Sequence, residues 1–153
     1  SGIDFLVSYK LTKDFNLALK GAIVRAFNQT AKEFLVGIPA DRIEPGITWT
    51  KEFSKNKNTL TANIAVPLVR TQDRVEANSD YVDPPKGYIL VNAQVSYTFK
   101  VKNQYIDLSL ELNNLFNQSY RDYLNRFRYF ADETGRNIGL KLKVPFNLSK
   151  NEK

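Results

Sequence analysis

One stretch of this chain concentrates residues that could bind something. Between positions 120 and 130 stand Tyr120, Arg121, Tyr123, Arg126, Phe127, Arg128, Tyr129 and Phe130. Guanidinium groups beside aromatic rings suit anionic, catecholate or otherwise planar ligands, through paired hydrogen bonds and stacking. The candidate ligand-binding set is therefore Tyr120, Arg121, Tyr123, Arg126, Arg128 and Tyr129. The plainer alternative is internal: these arginines could pair with Asp122, Asp132 and Glu133 and stiffen their own loop.

Catalysis finds less support. The chain has no His, Cys or Met, so the commonest general base and the thiolate metal ligands are missing. Asp107 and Glu111 share a strand face but stand roughly 13 Å apart at ~3.3 Å per residue, too far to work on one bond. Glu76, Asp80 and Asp83 could gather a cation weakly, yet their spacing matches no calcium loop. No catalytic residue, metal site or cofactor is expected. Asn28-Gln29-Thr30 and Asn117-Gln118-Ser119 fit the glycosylation pattern, a match too short to carry an argument.

The elements that position the aromatic loop follow from period-2 alternation, which dominates the sequence. Strands are expected at about 3–11, 15–28, 41–53, 59–70, 87–100, 105–116 and 136–146. The fifth sets Ile89, Val91, Ala93, Val95, Tyr97 and Phe99 against Asn92, Gln94, Ser96, Thr98 and Lys100. The sixth sets Ile106, Leu108, Leu110 and Leu112 against Asp107, Ser109, Glu111 and Asn113. The run 33–38 reads as loop because Pro39 interrupts it. Globular strands average about 5–6 residues, whereas tilted membrane strands need about 9–11. Most of the strands here reach the longer figure.

The connections sort by length. Tight polar turns fall near 13–14, 54–58 and 101–104; long loops fall at 29–40, 71–86 and 117–135. Short turns at one end and long loops at the other suit an outer-membrane barrel with periplasmic turns. Tyr9, Phe15, Trp49, Phe53, Tyr97, Phe99 and Phe146 then lie on the apolar face near the turn ends, as a membrane-interface girdle would. The opposite face would present Lys10, Glu44, Thr48, Asn92, Gln94, Asp107, Glu111, Lys141 and Lys143 to a wet lumen. No run approaches the ~18 apolar residues of a membrane helix, which does not bear on a barrel. The +6 charge is scattered along the chain, so nucleic acid is not an expected partner.

About seven strands is an odd count for a single-chain barrel. The expectation is that at least one strand precedes Ser1. The C-terminal part of the chain resembles the TonB-dependent outer-membrane receptors. Asn114-Leu115-Phe116-Asn117 looks like the turn region after the penultimate strand, and Tyr120-Arg121-Asp122-Tyr123-Leu124 like the loop that follows. Gly135-Arg136-Asn137-Ile138 looks like the start of the last strand, and Phe146 like the aromatic end that the barrel-assembly machinery recognises. The likeness is best over 87–146. Asn147 and the residues up to Lys153 form a polar overhang the family usually lacks, and Tyr123 stands where a related pattern often has His.

The resemblance implies an all-β, antiparallel up-and-down transmembrane barrel of about 22 strands, of which 1–146 would supply about seven. It implies import of a scarce nutrient, most commonly an iron complex such as a ferric siderophore. It implies as partners outer-membrane lipid and lipopolysaccharide, whose phosphates the loop arginines could also bind. Further implied partners are the receptor's own plug and upstream strands and, through that plug, the TonB complex. Two other readings remain open: a small complete barrel with a structural or adhesive role, and a soluble barrel carrying an apolar ligand.

Overall fold

The computed structural model describes residues 1–53, 57–76, 78–102 and 104–145. Phe146, the expected assembly signal, and the overhang 147–153 lie outside the described residues. Among the described residues the chain is all-β apart from one short 3₁₀ helix. Its strands are β1 (Gly2–Lys10), β2 (Phe15–Val24), β3 (Phe27–Asn28), β4 (Glu33–Phe34), β5 (Arg42–Phe53), β6 (Asn58–Ala65), β7 (Leu68–Val69), β8 (Tyr88–Ile89), β9 (Asn92–Val101), β10 (Gln104–Asn113) and β11 (Asn137–Lys143).

The seven long strands run antiparallel in the order β1-β2-β5-β6-β9-β10-β11. Each pairs with its sequence neighbour along this path, so the topology is a plain up-and-down meander. Among the described residues β1 and β11 do not pair with each other, and the sheet has two open edges.

Register carries the alternation across the whole sheet. Phe15 faces Trp49, Trp49 faces Ala62, Ala62 faces Val95, Val95 faces Leu110, and Leu110 faces Leu140. The polar rows are equally continuous: Lys10, Asn16, Thr48, Asn63, Gln94 and Glu111 stand opposite one another in turn. Because side chains alternate faces, one register fixes every residue's side.

Among the described residues the apolar face covers nothing. Leu90 is the one hydrophobic side chain that is buried among the described residues, whereas Ile3 is 65% exposed and Leu140 72%. A soluble sheet would turn this face onto a core. The polar face instead bonds to itself: Asn63 Nδ2 donates to Thr48 Oγ1 at 2.8 Å, Lys20 pairs with Glu44 at 2.9 Å and Lys141 with Glu111 at 2.7 Å.

Several expected bounds are corrected. The strand expected over 15–28 stops at Val24; Arg25 still exchanges backbone hydrogen bonds with Ser1 at 2.7 and 2.8 Å, while its side chain pairs with Asp41. Phe27 belongs to a separate two-residue pairing with Glu33–Phe34, so part of 33–38 is strand and not loop. The strand expected over 59–70 splits at Val66-Pro67, and that over 87–100 at Leu90-Val91. Pro67 has no N–H to give the ladder. Ile43 faces Leu68 and Gly46 faces Ala65, so the register is unchanged across the break. The sixth strand ends at Asn113 and not at 116; the last spans Asn137–Lys143 and not 136–146.

Tyr9, Phe15, Trp49, Phe53, Tyr97 and Phe99 all share the apolar face and lie in the short-turn half of their strands. Tyr97 and Phe99 stack at 5.6 Å. Tyr97 Oη also accepts from Asn58 Nδ2 at 2.9 Å, which gives the ring the polar partner a tyrosine seeks.

Candidate functional site

The aromatic, arginine-rich loop begins where β10 is forced to stop. Asn114 takes a left-handed φ of 51° and Asn117 one of 54°, a conformation asparagine tolerates better than most residues. Asn114 is 3% exposed. Its amide donates to Gln118 O at 2.8 Å and accepts from Gln118 N at 2.9 Å, and its own N–H reaches Asn92 Oδ1 at 3.0 Å. Asn117 Oδ1 accepts from Arg136 N at 2.8 Å, so the same turn holds the start of the last strand.

Within the loop, Arg126–Tyr129 forms the 3₁₀ helix, capped by Asn125, whose side chain accepts from Phe127 N at 2.9 Å. One turn sends Arg128 inward and leaves Arg126 and Phe127 exposed. Arg128 is 4% exposed and lies between the rings of Tyr123 at 4.8 Å and Tyr129 at 4.7 Å. It pairs with Asp80 of the preceding long loop. Tyr129 Oη donates to the same carboxylate at 2.5 Å. The Tyr129 hydroxyl, then Tyr81 N–H and Arg128, hold the Asp80 carboxyl below its usual range. Asp80 in turn pushes the Tyr129 hydroxyl up.

The other expected site residues are also engaged. Arg121 Nε donates to Asp132 at 2.6 Å and its Nη1 to Arg128 O at 2.8 Å. Ser119, then Arg121, lowers the Asp132 carboxyl. Tyr120 packs on Tyr88 at 4.3 Å, and burial raises its hydroxyl. Tyr88 Oη donates to Asp122 at 2.7 Å. The structure thus brings Tyr123, Arg126, Arg128 and Tyr129 to one cavity of about 320 Å³, with Asp80 and Tyr81 on its wall. Tyr120 and Arg121 are not among its lining residues. Arg126 makes no hydrogen bond or ion pair among the described residues, so its donors remain available. Arg128 keeps one buried nitrogen, Nη1, without a partner.

A second polar cluster ties the other two long loops. Arg25 makes a bidentate pair with Asp41 at 2.5 and 2.8 Å, Arg74 reaches Asp41 at 3.0 Å and Asp73 at 3.2 Å, and Arg70 reaches Asp73 at 3.2 Å. Arg25, ahead of the more distant arginines, lowers the Asp41 carboxyl. Gln72, 1% exposed, donates to Ile38 O at 2.6 Å and accepts from Arg74 N at 3.2 Å. Glu76 accepts from Phe34 N at 2.8 Å.

Asp80, Tyr88, Asp41, Gln72 and Arg74 were not singled out as binding or structural residues by the sequence. Asp80 drew notice only as a weak cation ligand beside Glu76 and Asp83, and it is instead taken by Arg128 and Tyr129. Pairings across such sequence distances leave no periodic trace.

No protein-family model matches the sequence, and no curated protein matches it. A solved structure shares the fold: the copper transporter OprC superposes with a TM-score of 0.76 over 92% of this chain, at 21% identity. This chain spans 22% of the length of that one. The likeness shows the fold, an antiparallel up-and-down sheet that matches one part of a larger transport protein.

Proposed function

We propose that this chain is C-terminal barrel wall and external loop of a TonB-dependent outer-membrane receptor that imports a scarce nutrient. One observation carries the reading: a seven-strand sheet whose apolar face is continuous and uncovered among the described residues, with a self-bonded polar face behind it. Lipid is the solvent that such a face fits, and a wet or plugged lumen fits the other. The short turns then lie in the periplasm, with the turn-side aromatics at the inner interface and the long loops outside. The likeness to part of a transporter supports the transport role.

The substrate we favour is an anionic metal complex, an iron complex such as a ferric siderophore. The external cavity offers Arg126 and the rings of Tyr123 and Tyr129, which suit a planar or charged ligand shell. Copper(I) selects soft thiolate and thioether ligands, and imidazole suits copper in either state; this chain holds no Cys, Met or His. The chain therefore offers a copper ion none of its soft or imidazole ligands.

Two experiments test the proposal. The protein should require detergent to stay monomeric in solution; a soluble monomer without detergent would overturn the membrane reading. In the whole receptor, Arg126→Glu should weaken ligand binding about tenfold, the scale of one charge-assisted hydrogen bond. Unchanged affinity and uptake would remove this cavity from the ligand path.

A further inference from the structure

The junction between Arg128 and Asp80 is held unevenly from its two sides. Arg128 is fixed by its own loop. Its N–H reaches Asn125 O at 3.1 Å, its carbonyl accepts from Arg121 Nη1 at 2.8 Å, and Arg121 is tied in turn to Asp132 at 2.6 Å. Asp80 belongs to no strand or helix. Among the described residues, the segment 78–83 bonds to the rest of the chain at two places only. Ser79 turns back on Glu76, and Asp80 meets Arg128 and Tyr129. The next residue, Tyr81, touches Tyr129 edge-on at 5.9 Å and is 94% exposed. Of the two partners, the carboxylate is the one that can leave.

The pairing is also incomplete. An arginine can present two parallel N–H groups to one carboxylate. Asp80 takes Nη2 alone, because its second oxygen is held by Tyr129 Oη at 2.5 Å and by Tyr81 N–H at 2.8 Å. Nη1 of Arg128 is left buried without a partner, which is unfavourable and which a two-pronged anion would relieve. Exchanging one carboxylate for another never strands Arg128 unpaired, so it avoids the large penalty of breaking a buried pair. The cavity is suited to such an exchange. The charged groups on its wall are Arg126, Arg128 and Asp80, two cations against one anion, and the anion comes from the chain itself.

We propose that Asp80 is a resident competitor for the ligand: a carboxylate of the incoming ligand replaces it on the Arg128 guanidinium, and the exchange frees 78–83 from the 117–135 loop. The inference rests on the ligand reading of this cavity and narrows it to ligands that carry a carboxylate. Arg126 meets the remaining negative charge of the ligand. Asp80 then acts as a specificity filter, since an uncharged ligand has nothing to offer Arg128 in its place. The apparent affinity for a carboxylate is lowered by the fraction of molecules in which Asp80 holds the guanidinium. Binding at this site loosens the 71–86 loop.

The test uses the whole receptor in detergent, with 2,3-dihydroxybenzoate as the carboxylate probe and 2,3-dihydroxybenzamide as its uncharged counterpart. Calorimetry reads binding and amide exchange reads the loop. Asp80→Asn should tighten benzoate binding about tenfold, the factor for a site that Asp80 occupies in about 90% of molecules, and should leave the benzamide unchanged. Tyr129→Phe keeps the ring and removes one tether of Asp80, so it should tighten benzoate binding by a smaller factor; it carries the test if Asp80→Asn fails to fold. In the wild type, benzoate should speed exchange in 78–86 and the benzamide should not. Benzoate affinity that is equal or weaker in both variants would overturn the proposal, as would benzoate that slows exchange in 78–86. Arg126→Glu separates this proposal from the reading beneath it. Benzoate binding that falls in Arg126→Glu yet is the same in wild type and Asp80→Asn loses only the competitor role. Benzoate binding unmoved by Arg126→Glu, or absent from every variant, loses the ligand reading of the cavity as well.

Discussion

Tyr129 donates its hydroxyl to Asp80 at 2.5 Å across 49 residues of sequence, and that bond joins the 71–86 and 117–135 loops. Arg128 lies against the same carboxylate, with its guanidinium between the rings of Tyr123 and Tyr129. A buried pair of this kind is weakly stabilising when whole and costly when half is removed.

Arg128→Ala should therefore loosen the loops and leave the sheet intact. Loss of the ion pair and of two ring contacts should lower the local opening free energy by about 3 kcal/mol, and amide exchange in 78–86 should run roughly a hundredfold faster. Exchange in β9 and β10 should not change. Equal protection of the 78–86 amides in variant and wild type would show that Arg128 does not hold that loop.

The same junction should be insensitive to pH over a broad middle range. The Asp80 carboxyl is lowered from 3.8 by Tyr129 first, so its contribution is complete above that value and is lost as pH falls through the lower folded value. The Tyr129 hydroxyl is raised from 10.0 by Asp80, so its contribution is complete below that value and is lost as pH rises through the higher folded one. Loop protection measured against pH should stay flat between these limits and fall outside them. A midpoint near neutrality would contradict the assignment.

Asn114 can be separated into its backbone and side-chain roles. Asn114→Gly keeps the left-handed turn and loses the two side-chain bonds to Gln118, at about 1 kcal/mol each. Asn114→Val loses the same bonds and adds at least about 1 kcal/mol of left-handed strain. Unfolding of the two variants in urea should rank them in that order, with valine worse. Equal losses would mean that the conformation at 114 is not constrained.

Leu110 lies mid-row between Val95 and Leu140 on the uncovered face, and Ser109 points to the other side. Leu110→Arg should cost about 2–4 kcal/mol in a bilayer, as charges do on the lipid face of a barrel. Ser109→Arg should stay within about 0.5 kcal/mol, as exposed substitutions usually do. Unfolding titrations from lipid bilayers compare the two directly. A neutral Leu110→Arg would place that face in water.

Alternation made the sheet readable because each strand residue meets one of two environments. Val95 and Gln94, or Leu110 and Glu111, declare their sides without any knowledge of the partner strand. The proline-linked break at Val66-Pro67 and the strand end at Val24 were hidden, since a polar or proline residue near a strand end fits both a strand and a turn. The candidate loop was legible as a composition and not as a geometry. Its six candidate residues looked equivalent on paper, yet Arg128 and Arg121 are structural partners, Tyr120 packs on Tyr88, and of the three candidate arginines Arg126 is the one with no hydrogen bond or ion pair among the described residues. What separated them was Asp80, Asp132 and Tyr88, and only the fold brings those three within reach.

The unbroken rows from β1 to β11 have a consequence for how such a chain can drift. Facing direction behaves as a parity shared by all seven long strands. One residue inserted inside β9 would invert that strand's remainder, setting Gln94-type positions in the apolar rows and Val95-type positions among the charges. Two inserted residues would restore the parity while shifting the register, and an insertion in 71–86 or 117–135 would leave it untouched. Length variation among descendants of this sequence should collect in the long loops and occur within strands only in even steps.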